Sequence, residues 1–336
     1  MRIVFVALLF YAVFTNQSLY AQDHLYSQFY DAPIYLNPAL NGQFDGDFRV
    51  NLIYRNQWTA LPGPLNYYTI SSDLNLPMYN SGVGLMITKS TEGTAYLDKI
   101  NISSIYSYHV EFENAQLSFG LQAGATNRKV DEDKLVFLDQ LNGSGIIPNG
   151  SSSSLGLPFN NRFFFDSGAG VNLVLGDFMV GVSGQHLNRP NESLSGGTSI
   201  LPQRYNGYAS YKILTDPSFE DSPAFIPSVV FSTQAGVATF STGVQYKHGA
   251  INVGLWYRGD GAQNDAVVVS LIFDIFGRDS GKTRFGLSHD VTTSKLNYAN
   301  TAGTTEAAMS YETTIPGWGE YEYKMNTHAT KCYSFY

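Results

Sequence analysis

Short segments in which apolar and polar residues alternate recur along almost the whole chain, and this pattern restricts the fold more than any other feature. The first runs from Phe48 to Gln57, with Leu52 on one face and Arg49 and Arg55 on the other. Successive side chains of a strand point to opposite faces, so this segment predicts a strand with one apolar and one polar face. With turn residues between its repeats, the pattern predicts about 14 strands, most of them about ten residues long.

The alternation gives each strand approximate bounds. Pro227 lies inside the ninth segment and argues against a central strand there, because proline lacks the amide hydrogen that a sheet uses. An even number of strands of this length is typical of bacterial outer-membrane barrels. The predicted strands are Phe48–Gln57, Tyr67–Leu76, Gly82–Ser90, Ile100–His109, Gln116–Arg128, Arg162–Leu175, Phe178–His186, Gln203–Lys212, Phe225–Gln234, Val237–Lys247, Ala250–Arg258, Asp265–Phe273, Thr283–Asp290 and Glu306–Glu312.

The same alternation also fits a soluble β-sandwich, in which the apolar faces point inward. Composition favours a transmembrane antiparallel β-barrel of the outer membrane instead. Charged residues make up only 14% of the chain and aromatic residues also 14%, whereas soluble domains have about 25% charged residues. Most connections also alternate between long and short, as expected for the two ends of such a barrel, with 213–224 (long) and 235–236 (short) as the exceptions. We therefore predict that residues 48–314 form an all-β barrel.

The two ends of the chain differ from the barrel pattern. A basic start, an apolar run from Ile3 to Phe14 and a small residue at Ala21 predict a cleaved secretory signal peptide over residues 1–21. A membrane anchor is the alternative, but a spanning helix needs roughly 20 apolar residues. We expect residues 22–47 to form a periplasmic or luminal segment and residues 315–336 to form a periplasmic tail.

Charge and cysteine content exclude other classes. The only cysteine, Cys332, cannot support an internal disulfide framework. A net charge of −8 argues against a nucleic-acid partner, which recruits basic surfaces. The six histidines do not have the spacing of metal ligands, and no serine lies in the sequence motif of a nucleophile elbow. We predict no catalytic residue, metal or cofactor; a group at Ser288, His289 and Asp290 is the one catalytic arrangement to check.

Several charges lie on the polar faces and are expected to line the lumen. We interpret them as ion pairs that stiffen the wall, with a conducting path as the alternative. Wall side chains alone cannot fill a barrel this wide, so we predict that either water or residues 22–47 occupy the lumen or its periplasmic mouth. The candidate lumen charges are Arg49, Arg55, Asp73, Arg128, Asp166, Arg258, Arg284 and Asp290.

Blocks from residue 22 onward resemble the PorP/SprF family of type IX secretion system membrane proteins, which is found in Bacteroidetes. The opening QDHLYSQFYDAPIYLNPALNG, the block YRNQW, the block VGLWYRGD and the block FGLSHDVTTSKL are similar to family blocks. The block TTEAAMSY stands where the family usually has Ser-His-Glu, and of these three residues only the glutamate is present, as Glu306. In the tail, Tyr333 stands where the family has proline. The resemblance is carried by Asn37, Pro38, Tyr54, Arg55, Trp58, Tyr257, Arg258 and Asp290.

This resemblance implies a non-enzymatic outer-membrane barrel of a Gram-negative bacterium, in contact with the lipid bilayer. It implies a role in exporting or anchoring secreted surface proteins, gliding-motility adhesins among them, through their C-terminal sorting domains. The implied partners are that cargo, the type IX secretion machinery and an OmpA-like peptidoglycan-binding protein. We expect loops 129–161 and 187–201 to contact cargo. The alternative is a passive porin or hydrophobic-solute transporter.

Overall fold

The chain forms a closed 14-stranded antiparallel β-barrel in a computed structural model that describes residues 22–63, 65–94, 96–131, 135–143, 145–146, 161–216, 222–277 and 281–315. The predicted signal peptide and almost all of the predicted tail lie outside these residues. The strands are β1 Phe48–Gln57, β2 Leu65–Leu76, β3 Ser81–Glu92, β4 Leu97–Glu111, β5 Ala115–Val130, β6 Arg162–Leu175, β7 Phe178–Gln185, β8 Arg204–Tyr211, β9 Ala224–Gln234, β10 Val237–His248, β11 Ile251–Gly259, β12 Asn264–Phe276, β13 Lys282–Thr292 and β14 Thr304–Thr313.

Each strand pairs with its sequence neighbours, and β1 closes the barrel by pairing with β14 over its whole length. This confirms the predicted fold. Pro227 lies within β9, opposite a break in pairing between Ser210↔Ser228, the last pair of β8 with β9, and Ile213↔Phe225, which lies beyond the end of β8. Proline has no amide hydrogen to donate, which explains the break; β9 keeps its full ladder with β10.

Apolar side chains cover the outside of the barrel, whereas its inside is lined mainly by polar side chains, together with a buried apolar cluster that includes Met179 and Trp256. Leu85, Leu121 and Leu255 are 55%, 62% and 56% exposed on the outer surface. Ser103 and Ser118, one on each of two neighbouring strands, are fully buried. This arrangement is the reverse of a soluble sandwich and is typical of a barrel surrounded by lipid.

Connections of different length occupy the two ends of the barrel. The connections after odd-numbered strands form what we call the upper rim, and they include residues 131–161, 186–203 and 293–303. The opposite end is the lower rim, where β6 and β7 are joined by the two-residue turn 176–177. Among the described residues, no helix is both long and apolar enough to cross a membrane.

Candidate functional site: a luminal plug and its contacts with the wall

Residues 22–47, which we call the plug segment, lie inside the barrel and contact wall strands around its circumference. The segment starts near the upper rim, at Asp23, and ends near the lower rim, at Asp47. It has no strand of its own, and contains the short helical turns Phe29–Asp31, Pro33–Leu36 and Pro38–Leu40.

Local sequence explains why the plug segment folds into turns. Pro33 and Pro38 each begin a turn, at the position where a missing amide hydrogen costs nothing. The Asn37 side chain accepts a hydrogen bond of 2.9 Å from the Ala39 amide and so caps the last turn.

Ser27 binds a group of four buried charges that we call the polar clamp: Arg55 on β1, Arg258 on β11, Asp290 on β13 and Glu306 on β14. Ser27 Oγ donates to Asp290 Oδ2 at 2.7 Å, and Arg258 Nη1 donates to Ser27 Oγ at 2.8 Å. The Ser27 amide donates to Glu306 Oε1 at 2.8 Å. Arg258 Nη2 contacts Asp290 Oδ2 at 2.9 Å, and Arg55 pairs with Glu306.

The polar clamp contains two cations and two carboxylates, all of them almost completely buried. Buried charges are costly unless they are paired and hydrogen-bonded. The plug segment supplies part of that bonding, because the amides of both Ser27 and Gln28 donate to Glu306. The wall and the plug segment therefore depend on each other at this point.

A second group holds the plug segment near the upper rim, and we call it the upper anchor. Asp23 accepts from Lys99 Nζ at 2.8 Å, from His186 Nε2 at 2.7 Å and from Gln234 Nε2 at 2.9 Å. The other ring nitrogen of His186 contacts Asp166 at 2.9 Å. Burial lowers the pKa of His186, but the charges of Asp23 and Asp166 outweigh it and raise that pKa to about 9. His186 is therefore a cation at neutral pH.

Asn37 fixes the middle of the plug segment to the wall. Its Nδ2 donates to Val171 O at 3.0 Å and to Tyr208 Oη at 3.1 Å. Wall glycines leave room for this contact. A Cβ built on Gly170 would overlap Asn37 Oδ1, and one built on Gly120 would overlap the plug backbone.

A bidentate ion pair supports the lower end of the plug segment. Arg49 Nε and Nη2 donate to the two carboxylate oxygens of Asp73 at 3.0 and 2.7 Å. The Gly42 amide donates to the same carboxylate at 2.9 Å, and the Phe44 ring lies 4.5 Å from Arg49 Cζ. The pair thus binds the plug segment as well as bridging β1 and β2.

The remaining predicted lumen charges pair with residues of the wall or of a loop. Arg284 Nε contacts Asp274 Oδ1 at 2.7 Å, across β12 and β13. Arg128 contacts Glu192 of the loop between β7 and β8 at 3.0 Å. All eight candidate lumen charges therefore lie on the inner side of the wall or at the upper rim, each in an ion pair.

The two Tyr-Arg pairs of the family-like blocks are divided between the two faces of the wall. Arg55 and Arg258 enter the polar clamp, whereas Tyr54 stacks on Tyr68 at a centroid distance of 4.7 Å on the outer side. Tyr257 is 40% exposed and donates to Asn264. Trp58, just after β1, lines a cavity of about 380 Å³ at the upper rim, together with Tyr67, Asp265 and both arginines.

Ser288, His289 and Asp290, the one arrangement with a catalytic composition, do not share a face of β13. Ser288 and Asp290 are buried on the luminal side. His289 points outward, where its ring contacts Thr305 and Tyr298. In the part of the chain that the structure describes, no group of three or more metal-ligating residues is close enough to hold an ion.

Residues outside the predicted set complete the site. Glu306 belongs to the polar clamp and Ser27 binds to it, and His186 and Lys99 belong to the upper anchor. Ser27 and Glu306 lie within the family-like blocks, so the resemblance contained a signal for them. His186 was predicted as the last residue of β7; the strand ends at Gln185 instead, because His186 has a φ of 55° that a strand does not accommodate.

Residues 18–311 match the model of the family described as type IX secretion system membrane protein PorP/SprF. The chain belongs to this family. Its members are membrane components of a secretion system, and the outer surface of this barrel fits that location. The comparison with curated proteins gave no match.

Solved structures are similar to the chain at low sequence identity. The chain is 15% identical to the CymD monoaromatic hydrocarbon channel, covering 84% of this chain and 92% of that one at a TM-score of 0.47. A ΔS2 mutant of the TodX monoaromatic hydrocarbon channel is 10% identical, with coverages of 84% and 93% and a TM-score of 0.46. Omp33 of Acinetobacter baumannii is 8% identical, with coverages of 80% and 98% and a TM-score of 0.41.

Proposed function

We propose that this protein is a non-enzymatic, plugged outer-membrane barrel that helps the type IX secretion system to export or anchor secreted surface proteins. In this proposal the upper rim is extracellular and binds the C-terminal sorting domain of the cargo, gliding adhesins among them. The observation that carries the proposal is the occupied lumen, in which Asn37 of the plug segment binds the wall and the wall residues Arg55, Arg258 and Asp290 surround Ser27.

A plug tied to the wall along its length supports an anchor rather than a passive porin or hydrophobic-solute transporter. A porin needs a water-filled path through its lumen. Here Asp23, Ser27, Asn37 and Gly42 each bond to wall residues at successive depths. The cavity beside His186, between plug and wall, is only about 50 Å³. The cavity at the upper rim lies above the polar clamp and fits a binding surface.

The same proposal gives roles to the two ends of the chain. Residues 1–21 direct export and are removed, and the tail from residue 315 contacts the secretion machinery and an OmpA-like peptidoglycan-binding partner in the periplasm. The loops at 129–161 and 187–201 contact cargo. Glu192 in the second loop is already tied to Arg128 at the barrel mouth, so this loop is positioned over the lumen.

Two measurements test the proposal. In planar bilayers, the wild-type protein should show no large steady conductance, and deletion of residues 23–40 should open one. In a pull-down, the full-length protein should retain a secreted protein through its sorting domain, and replacing residues 189–201 by a Gly-Ser linker should abolish retention. An open wild-type channel that retains no sorting domain would contradict the proposal and support the porin alternative.

A further inference from the structure

The upper half of β6 has a partner strand on one side only. On the β5 side, all residues from Arg162 to Leu175 are paired. On the β7 side, pairing begins at Ala169, because β7 ends at Gln185. Residues 162–168 therefore project above the end of β7 with one free edge.

Hydrogen bonds identify which backbone groups face this free edge. Ser167 O accepts from the Leu187 amide at 3.0 Å. The N–H and C=O of one strand residue point to the same side, and the direction alternates along the strand. Phe163, Phe165 and Ser167 therefore present their backbone groups to the position that an extended β7 would occupy.

A single side chain takes the place of the missing strand. Asn188 Oδ1 accepts from the Ser167 amide at 3.2 Å, and Asn188 Nδ2 donates to Phe165 O at 2.7 Å. This carboxamide thus satisfies one donor and one acceptor of the β6 edge that would otherwise bond to a neighbouring strand. Asn188 itself is exposed, so its side chain is accessible to a competing segment.

Above Asn188, no bond joins the Phe163 backbone to another residue on the free side, within the part of the chain that the structure describes. The Phe163 and Phe165 side chains are 71% and 57% exposed on the outer face. An edge with unpaired backbone groups is a template for a strand from another chain. Bonds to the backbone give affinity in such pairing, and alternate side chains give specificity.

We propose that this edge of β6 binds an extended segment of the secreted partner by β-strand addition, in the place of a longer β7 and with displacement of the Asn188 side chain. The inference rests on the proposed function, because it specifies how the sorting domain is held. The chemistry of the edge defines the segment: apolar residues on the side of Phe163 and Phe165, and polar residues on the side facing the mouth of the barrel.

Two substitutions at one position test strand addition. Phe163→Pro removes the amide hydrogen and puts a ring at the free edge, while the β5–β6 ladder is unaffected because the Phe163 amide points away from β5. Phe163→Ala removes the side chain and keeps the amide. The measurement uses the full-length protein in detergent and a purified sorting domain as probe. We expect Phe163→Pro to weaken binding at least tenfold, because it removes one hydrogen bond and its ring excludes the incoming strand. Phe163→Ala should weaken it less than about threefold.

Asn188→Ala supplies an independent readout. Removing the side chain that competes for Ser167 and Phe165 should strengthen binding several-fold, whereas a weaker complex would contradict displacement. Heat-modifiable migration on gels establishes that each variant still forms the barrel. Equal losses for Phe163→Pro and Phe163→Ala, or no loss for either, would overturn strand addition while leaving the proposed function standing. Failure of the wild-type protein to bind any sorting domain would instead contradict the proposed function.

Discussion

Arg258 and Ser27 are 231 positions apart in the sequence, yet Arg258 Nη1 lies 2.8 Å from Ser27 Oγ inside the barrel. This bond connects the plug segment to the wall at the point where four buried charges meet. A lipid-facing barrel places its apolar residues outside, so its interior cannot be stabilised by apolar packing alone. The plug segment supplies the partners that the polar interior needs.

Replacing Arg258 by alanine should destabilise the protein strongly. The substitution leaves Asp290 with Arg55 at 3.5 Å as its remaining cation in the polar clamp, and removing one partner of a buried ion pair costs about 3–5 kcal/mol. The measurement is the temperature at which the compact, heat-modifiable form is lost. Lys295→Ala, at an exposed position, is the matched control and should change stability by less than about 0.5 kcal/mol. Equal melting temperatures for the two variants would contradict a structural role for the clamp.

A methyl group added to the wall should displace the plug segment without harming the barrel. In Gly170→Ala the new Cβ overlaps Asn37 Oδ1, and such overpacking costs about 1–3 kcal/mol. We expect faster amide hydrogen exchange at residues 36–41 in this variant. The control is Gly207→Ala, in β8, where a Cβ has nothing within 4 Å. Unchanged exchange in Gly170→Ala would mean that the plug segment is not seated against this glycine.

The alternation of apolar and polar residues predicted the wall strands well, because each strand faces lipid on one side and the lumen on the other. This environment imposes a period of two residues on the sequence of every strand. The bounds of β1 and β6 coincide with the predicted ones, and the other strands differ by a few residues at their ends. Alternation also placed Arg55 and Arg258 on the luminal face. It could not give their partners, because Ser27 lies in a segment without periodicity and contacts strands more than 200 positions away. The role of Asn188 could not be predicted either, because a side chain that bonds to a strand edge in place of a neighbouring strand leaves no periodic pattern in the sequence.

The upper anchor should weaken as the pH rises. The pKa of His186 is raised to about 9, from about 6.5 in an unfolded chain. A raised pKa means that the stabilisation is complete below about pH 6.5 and is lost as the pH approaches 9. We expect amide exchange at residues 23–27 to accelerate between pH 7 and 10, after correction for the intrinsic exchange rate. In His186→Gln this additional pH dependence should be absent; its persistence would assign it to another group.

A lysine on the outer face of the barrel should interfere with membrane insertion. Leu121 is 62% exposed on the outer side of β5, between luminal Gly120 and Gln122. A lysine in the lipid-facing belt costs about 2–4 kcal/mol near the bilayer midplane, so Leu121→Lys should reduce folding into liposomes, measured as the folded fraction on gels. Leu138→Lys is the matched control, because Leu138 is 87% exposed in the connection between β5 and β6. Both variants should dissolve equally well in urea, so that folding starts from the same unfolded state. Equal folding yields of the two variants in liposomes would contradict the assignment of the β5 outer face to lipid.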